Sequence, residues 1–152
     1  MLNVRSMLSS DVDAVYAIEL SAHRAPWTRE ILRDCVLVNY DCCVLEDDAL
    51  DTPLIGYIIC RLYENNCHLL NLCIASAFQN KRYGTFLLNH RLDALKSTPV
   101  NHVFLEVRPS NIPAIHLYQQ VGFQQIGVKR GYYRDDQNIE DAIVLALDLI
   151  VD

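Results

Sequence analysis

One stretch of this chain, Phe104-Leu105-Glu106-Val107-Arg108-Pro109-Ser110-Asn111 followed by Ala114, Leu117, Tyr118 and Val121-Gly122-Phe123, constrains its fold more than any other. It reads as a buried strand, a break, a short helix, a glycine stop and a second strand. Asn111 suits the helix N-cap, because its side-chain oxygen can accept a free N–H of the first turn. Pro113 falls in that first turn, where its missing N–H is no loss. Gly122 suits the position just past the helix. Strand alternation puts His102, Phe104 and Glu106 on one side and Val103, Leu105 and Val107 on the other. If helices cover both sides, Glu106 is buried or in a cleft. A carboxylate there is costly without a job or a partner. Burial would raise its pKa toward the range of a general base. The alternative is a solvated carboxylate at the strand's end, or one paired with Arg108 or Arg134.

The rest of the chain extends this unit into a sheet. Leu2 to Met7 reads as a strand. Ser9-Ser10-Asp11 offers caps for a helix bearing Val12, Val15, Tyr16, Ile18 and Glu19. Thr28 caps a second helix, with Ile31, Leu32 and Cys35 on its inner face. Cys42 to Glu46 is a strand, and 47–53 a polar loop. Leu54 to Tyr63 and Cys67 to Ala75 form a hairpin around Glu64-Asn65-Asn66. A helix then runs to about Lys96, striped by Leu88, Leu92 and Leu95. Asn101 to Val107 is a strand and Asn111 to Val121 a helix. Phe123 to Tyr133 and Ile139 to Leu149 are strands around a turn at Asp135-Asp136-Gln137-Asn138. The order β-α-α-β-β-β-α-β-α-β-β predicts an α/β domain of the α+β type. Its sheet is mixed, mostly antiparallel and of about seven strands, with helices on both faces.

The chain has 152 residues, 51% of them hydrophobic. That suffices for a full core and suits one domain, 1–152, with no repeat or linker dividing it. The net charge of −6 argues against tight non-specific nucleic-acid binding and reads mainly as solvated acidic surface. Apolar runs fall far short of a membrane span. The N-terminus lacks the basic-then-apolar pattern of a secretory signal. A cytoplasmic monomer is expected, since no additional apolar helix is left uncovered. The six cysteines, Cys35, Cys42, Cys43, Cys60, Cys67 and Cys73, contain no Cys-x-x-Cys and sit in apolar patterns. Reduced thiols acting as small hydrophobes are expected. Cys60, Cys67 and His68 flank one hairpin turn, but no fourth ligand stands at metal-site spacing.

Gln79-Asn80-Lys81-Arg82-Tyr83-Gly84 lies between a strand and a helix. Free N–H groups and the dipole of a helix start make an anion site, to which Lys81 and Arg82 add charge. A pyrophosphate is its natural ligand, although the segment lacks the P-loop and dinucleotide fingerprints. An ordinary loop with solvated basic residues is the other reading of these residues alone. Tyr118 shares a helix face with Ala114, Ile115 and Val121. Taken alone it is a core tyrosine whose hydroxyl reaches solvent. His116 falls on another face and reads as surface.

Together these segments resemble the GNAT acetyltransferase superfamily, from about Ser9 to Leu147. The pieces that carry the likeness are Ala22-His23-Arg24-Ala25-Pro26-Trp27, Asn71-Leu72-Cys73-Ile74, Gln79 to Gly84, Leu105-Glu106-Val107-Arg108, and Ser110-Asn111. They continue with Ala114-Ile115, Leu117-Tyr118, Gly122-Phe123, Tyr132-Tyr133 and Glu140-Asp141-Ala142. Within the superfamily the chain is similar to bacterial enzymes that acetylate the N-terminal alanine of a small-subunit ribosomal protein. The resemblance implies the GNAT fold, acetyl-CoA as cosubstrate, no metal, and a protein N-terminus as acceptor. It implies that Leu72, Cys73 and Ile74 offer backbone groups to the pantetheine arm and thioester. Asn80, Lys81, Arg82, Tyr83, Gly84 and Thr85 would cradle the pyrophosphate, and Asn111 would touch the cofactor. Glu106 would be the general base and Tyr118 the general acid. Trp27, Tyr132 and Tyr133 would line the peptide entrance.

The chain departs from the family loop, Gln/Arg-x-x-Gly-x-Gly/Ala, at one place. Arg82 stands at the first glycine position. Glycine lets backbone approach phosphate closely. An arginine is expected to keep an ordinary backbone conformation and to add its own charge. Two other readings remain: an acetyltransferase for a small amine such as a polyamine, amino acid or aminoglycoside, and a non-catalytic module that binds acyl-CoA or a partner.

Overall fold

A computed structural model describes residues 1–23, 25–51, 54–135 and 138–149. Arg24, the Thr52-Pro53 end of the polar loop and Asp136-Gln137 of the last turn lie outside them. The strands are β1 (Leu2–Ser6), β2 (Asp41–Asp47), β3 (Leu54–Tyr63), β4 (Asn66–Ile74), β5 (His102–Val107), β6 (Gln124–Arg134) and β7 (Ile139–Asp148). The α-helices are α1 (Val12–Ala22), α2 (Arg29–Leu37), α3 (Tyr83–Leu95) and α4 (Ile112–Val121). Short 3-10 turns at Ser9–Asp11 and Ser76–Phe78 precede α1 and the loop before α3. No helix among the described residues is long and apolar enough to cross a membrane.

The expected order of elements holds, and local chemistry explains most ends. Thr28 Oγ1 accepts from Ile31 N at 3.2 Å at the start of α2. Asn111 Oδ1 accepts from Ala114 N at 3.3 Å at the start of α4. Gly122 ends α4 at φ 120, a conformation only glycine adopts freely. Two details differ from expectation. Ile31 is 45% exposed while Leu32 and Cys35 turn inward, because the apolar stripe of α2 is narrower than three residues. Asn66 pairs with Tyr63 and belongs to β4, so the hairpin turn is Glu64-Asn65 alone.

The strands form one seven-stranded sheet in the order β1-β2-β3-β4-β5-β7-β6. Every neighbouring pair is antiparallel except β4 and β5. Leu87, Leu88, Leu92 and Leu95 of α3 and Tyr118 of α4 pack on one face, with Cys67, Leu69, Val103, Leu105 and Val107. Val12, Val15 and Ile18 of α1 and Leu32 and Cys35 of α2 pack on the other, with Val44, Tyr57, Ile59 and Cys73.

Two features of β4 prepare the site. Cys60 pairs with Leu69 while Ile59 pairs with Asn71, so Leu70 is an extra, unpaired residue. Such a bulge interrupts the ladder and sharpens the local twist. It also exchanges faces. Cys67 and Leu69 look toward α3 and α4, but beyond the bulge Leu72 and Ile74 do so, and Cys73 turns toward α1. The second feature is a parting of strands. β4 and β5 pair with each other only from Asn66–His102 to His68–Phe104, then run on to Ile74 and Val107 paired only with their other neighbours, β3 and β7. The gap between them is a wedge open to both faces.

Candidate active site

Two cavities occupy this wedge and share His23, Leu72, Asn111, Ala114 and Tyr118 in their walls. The first, of about 230 Å³, is lined also by Glu19, Trp27, Glu106, Arg108 and Tyr133. The second, of about 500 Å³, is lined by Cys73, Ile74, Phe78, Asn80, Arg82, Tyr83, Gly84 and Thr85. Nearly every residue singled out in the sequence therefore borders one of two adjoining cavities. Lys81 does not; its ammonium lies 6.0 Å from the centre of the Phe78 ring. Tyr132 is half exposed and reaches Glu106 Oε1 with its hydroxyl at 3.4 Å. His116 is exposed, as expected.

The start of α3 has the features that could hold an anion. α2 and α4 carry side-chain N-caps, but Arg82, the N-cap of α3, makes no side-chain cap bond, and no acidic residue stands in that first turn. The unclaimed N–H groups face the larger cavity, with the positive end of the dipole behind them. This fits the pyrophosphate of acetyl-CoA. Arg82 reaches its place through a left-handed backbone, φ 66 and ψ 16, and Asn80 does the same at φ 65. The expectation of an ordinary arginine conformation is thus wrong: the chain keeps the turn that the glycine would make and bears the strain. Gly84 has a different reason to be glycine. A Cβ there would lie 2.9 Å from Leu117 Cδ1, so the residue lets α3 and α4 approach.

Glu106 is held more firmly than its sequence neighbours indicate. Its side chain is only 5% exposed. His68 Nε2 lies 2.7 Å from Oε1, and Lys129 Nζ 3.3 Å from Oε2. Burial pushes the carboxyl pKa up, but the His68 hydrogen bond and charge, then Lys129, outweigh it, and the net displacement is downward. The expected rise fails for that reason. The suggested partners are elsewhere: Arg108 bonds Glu140 at 3.2 Å and lies over the Tyr133 ring at 4.3 Å, and Arg134 Nε donates to Gly131 O. Tyr118 is 7% exposed, packs edge-on to Phe123, and borders both cavities. Burial, with Cys60, Tyr133 and Cys73 nearby, pushes its phenol well above the usual range, so it keeps its proton at neutral pH.

Sequence reading missed a second carboxylate in the first cavity. Glu19, with a side chain 1% exposed, accepts from the Tyr57 hydroxyl, from Asn71 Nδ2 at 3.0 Å and from the Trp27 N–H at 2.7 Å. The last of these pins the Pro26-Trp27 loop to α1. An acidic residue among Val15, Ile18 and Ala22 on one helix was the available signal. Among the described residues, Glu19, His23 and Cys73 bring metal-type donor atoms within 4.8 Å of one another. Both Glu19 oxygens are already engaged, which disfavours an ion. All six cysteines are free and buried. Cys60 and Cys67 hydrogen-bond each other, while His68 turns to Glu106.

Comparison with known proteins agrees with this geometry. A family model described as the acetyltransferase (GNAT) family matches residues 12–123. The [ribosomal protein bS18]-alanine N-acetyltransferase of Salmonella typhimurium is 33% identical over 97% of this chain and 99% of its own length. The crystal structure of the ribosomal-protein-S18-alanine N-acetyltransferase from Escherichia coli superposes with a TM-score of 0.90 at 30% identity, covering 100% of this chain and 96% of that one. The spermidine/spermine N-acetyltransferase of Vibrio cholerae shares the fold at 20% identity, with a TM-score of 0.79 over 97% of this chain and 95% of that one.

Proposed function

The chain belongs to the acetyltransferase (GNAT) family and is an acetyl-CoA-dependent N-acetyltransferase, and from that premise we propose that its acceptor is the N-terminal α-amine of a protein, specifically the N-terminal alanine of a small-subunit ribosomal protein. The acceptor assignment draws on the names of the Salmonella and Escherichia relatives at 30% identity or more. The observation that carries the chemistry is the cleft itself. Glu106 and Tyr118 border one cavity, and Tyr118 also borders the adjoining one, at the uncapped start of α3.

Acetyl-CoA supplies an activated acetyl thioester. Asn80, Arg82, Tyr83, Gly84 and Thr85 would hold its pyrophosphate, with Lys81 adding charge from outside the wall. Leu72, Cys73 and Ile74 would offer backbone groups to the arm beyond, and Asn111 would touch it from the start of α4. The run of β4 that does not pair with β5 supports this, because its N–H groups are not committed to that strand. An α-amine has a pKa of about 7.7–8.0 and is largely protonated at neutral pH. Glu106 takes that proton, directly or through a water. The neutral amine attacks the thioester carbonyl, a backbone N–H of Leu72–Ile74 stabilises the oxyanion, and the Tyr118 hydroxyl protonates the departing thiolate. Trp27, Tyr132 and Tyr133 would line the peptide entrance. No cysteine and no metal takes part. The whole of 1–152 acts as one domain, a cytoplasmic monomer that engages neither nucleic acid nor membrane directly.

The test is thiol release from acetyl-CoA with a peptide bearing a free N-terminal alanine, the same peptide with a blocked N-terminus, and a polyamine. Release with the free N-terminus alone is expected. Release with the polyamine instead would move the acceptor to small amines.

A further inference from the structure

Helix α4 presents two different faces to the two cavities. Asn111, Ala114 and Tyr118 border both of them. Pro113, His116, Leu117 and Gln120 border the larger one alone. Each set follows helical spacing, so each is a separate stripe, one at the junction of the cavities and one away from it. The outer stripe has an unusual setting for this chain. The sequence holds 19 aspartates and glutamates, and the smaller cavity is bordered by Glu19 and Glu106. Among the described residues, no acidic side chain borders the larger cavity, and α4 itself contains none. Its wall offers Arg82 and the ring of His116 instead. His116 and Gln120 are both exposed, and neither side chain has a hydrogen bond or ion pair among the described residues. Lys81 is the other cation nearby, but its ammonium lies over the Phe78 ring, outside the wall.

We propose that His116 and Gln120 form an outer subsite of the larger cavity, which binds the 3′-phosphate of the acetyl-CoA nucleotide. The inference rests on the pyrophosphate lying at the start of α3. Acetyl-CoA has three parts: an acetylated arm, the pyrophosphate, and an adenosine that bears a further phosphate on its ribose 3′-oxygen. The arm has to reach the junction of the cavities, where Tyr118 and the inner stripe of α4 stand. The nucleotide at the other end of the pyrophosphate is left with the outer stripe. A phosphate monoester carries about −1.5 to −2 charges near neutral pH and three acceptor oxygens. A wall without carboxylates spares it repulsion. A histidine ring donates through at least one nitrogen in either charge state, and a carboxamide donates through its NH₂ group. Both donors here are uncommitted, one helical turn apart on α4.

The test is calorimetric binding of acetyl-CoA, 3′-dephospho-acetyl-CoA and acetyl-pantetheine, without an acceptor. The proteins are the wild type, His116→Ala, His116→Arg, Gln120→Glu and Lys81→Gln. The wild type should bind acetyl-CoA about 5-fold more tightly than the dephospho form. His116→Ala should lose about threefold in acetyl-CoA affinity and leave the dephospho form within about 1.5-fold. The dephospho ligand thereby also reports that the variant is folded. His116→Arg, a donor that is always charged, should keep or widen the preference. Gln120→Glu sets a carboxylate in the stripe and should weaken acetyl-CoA about threefold more than the dephospho form. Equal weakening of both ligands in His116→Ala would overturn the subsite, because the ring would then serve another part of the molecule. So would a preference that survives in His116→Ala and vanishes in Lys81→Gln. Failure of the underlying reading looks different. Acetyl-pantetheine binding as tightly as acetyl-CoA removes the pyrophosphate site itself. Acetyl-CoA and its dephospho form binding equally, both far more tightly than acetyl-pantetheine, removes only the outer subsite.

Discussion

Glu19 and Glu106 border the same cavity, and both side chains are almost wholly shielded from solvent. Their surroundings differ in kind. Glu19 takes its hydrogen bonds from a phenol, a carboxamide and a backbone N–H, groups of the loop and sheet around it, while His23 Nε2 lies 3.3 Å from Oε1 without a hydrogen bond to it. Glu106 is met by an imidazole and an ammonium, with a phenol at the edge, all carried on sheet strands. The first arrangement ties three segments together. The second holds the carboxylate by direct contacts from two basic side chains, His68 and Lys129. Burial alone therefore does not separate the two carboxylates; the groups bonded to each of them do.

The comparison breaks most easily at Glu19. Truncating it to alanine takes the acceptor from the Tyr57 hydroxyl and the Trp27 N–H and leaves Asn71 Nδ2 only its bond to the Tyr57 oxygen, and the expected loss is about 4 kcal/mol, since each orphaned polar group costs about 1–3 kcal/mol. For a chain of this size that lowers Tm by roughly 10 °C, read by thermal and urea unfolding. A loss under about 1 kcal/mol would show that water or rearrangement serves the donors equally well. Glu106→Gln should do the reverse. Turnover falls by about 100-fold or more, while acetyl-CoA affinity by calorimetry stays within about twofold. Its Tm should shift by no more than roughly 3 °C. If the two variants exchange signatures, so that Glu19 governs rate and Glu106 governs stability, the assignment of roles is inverted.

The sheet, the helix caps and the residues bordering the cleft were legible because each rests on local pattern: alternation in β5, Asn111 and Gly122 around α4, and the loop before α3. What was not legible depends on register. His68 and Glu106 lie 38 positions apart. Only the parallel pairing of β4 with β5, set beside the bulge at Leu70, places them diagonally on one face. The Glu106 pKa was misjudged for the same reason: burial was visible in the sequence, but its cations were not. Arg82 failed differently. It borders the cavity at the start of α3, but the turn's demand for a positive φ prevails over the residue's own preference. Left-handed backbone costs a non-glycine residue about 1–2 kcal/mol, and glycine returns about 0.5–1 of it as unfolded-state entropy. Arg82→Gly should therefore gain roughly 0.5–1 kcal/mol of stability. It should weaken acetyl-CoA binding by about threefold through the lost charge. Lower stability in the glycine variant would show that the Arg82 side chain contributes more by its contacts than its backbone loses.

The smallest expected effect is the response of Glu106 to acid. The Glu106 carboxyl sits below its ordinary value in the folded chain, burial opposing and His68 and Lys129 prevailing. A group lowered by folding contributes stability that is complete above its unfolded pKa, about 4.3 for glutamate, and is lost as pH falls through the folded value. Asp11, lowered chiefly by its hydrogen bonds with Arg5, behaves in the same way. Unfolding free energies measured by urea titration from pH 6 downward should therefore decline for the wild type at and below the usual carboxylate range. Glu106→Gln should decline less steeply over that window, because it has no proton to take up at this position, and Asp11→Asn should flatten the curve independently, the two sites sharing no partner. An acid limb identical in wild type and Glu106→Gln would mean that His68 and Lys129 do not hold the carboxylate in solution. The contrast between a charge kept ready and a charge used as a tie would then lose its physical basis.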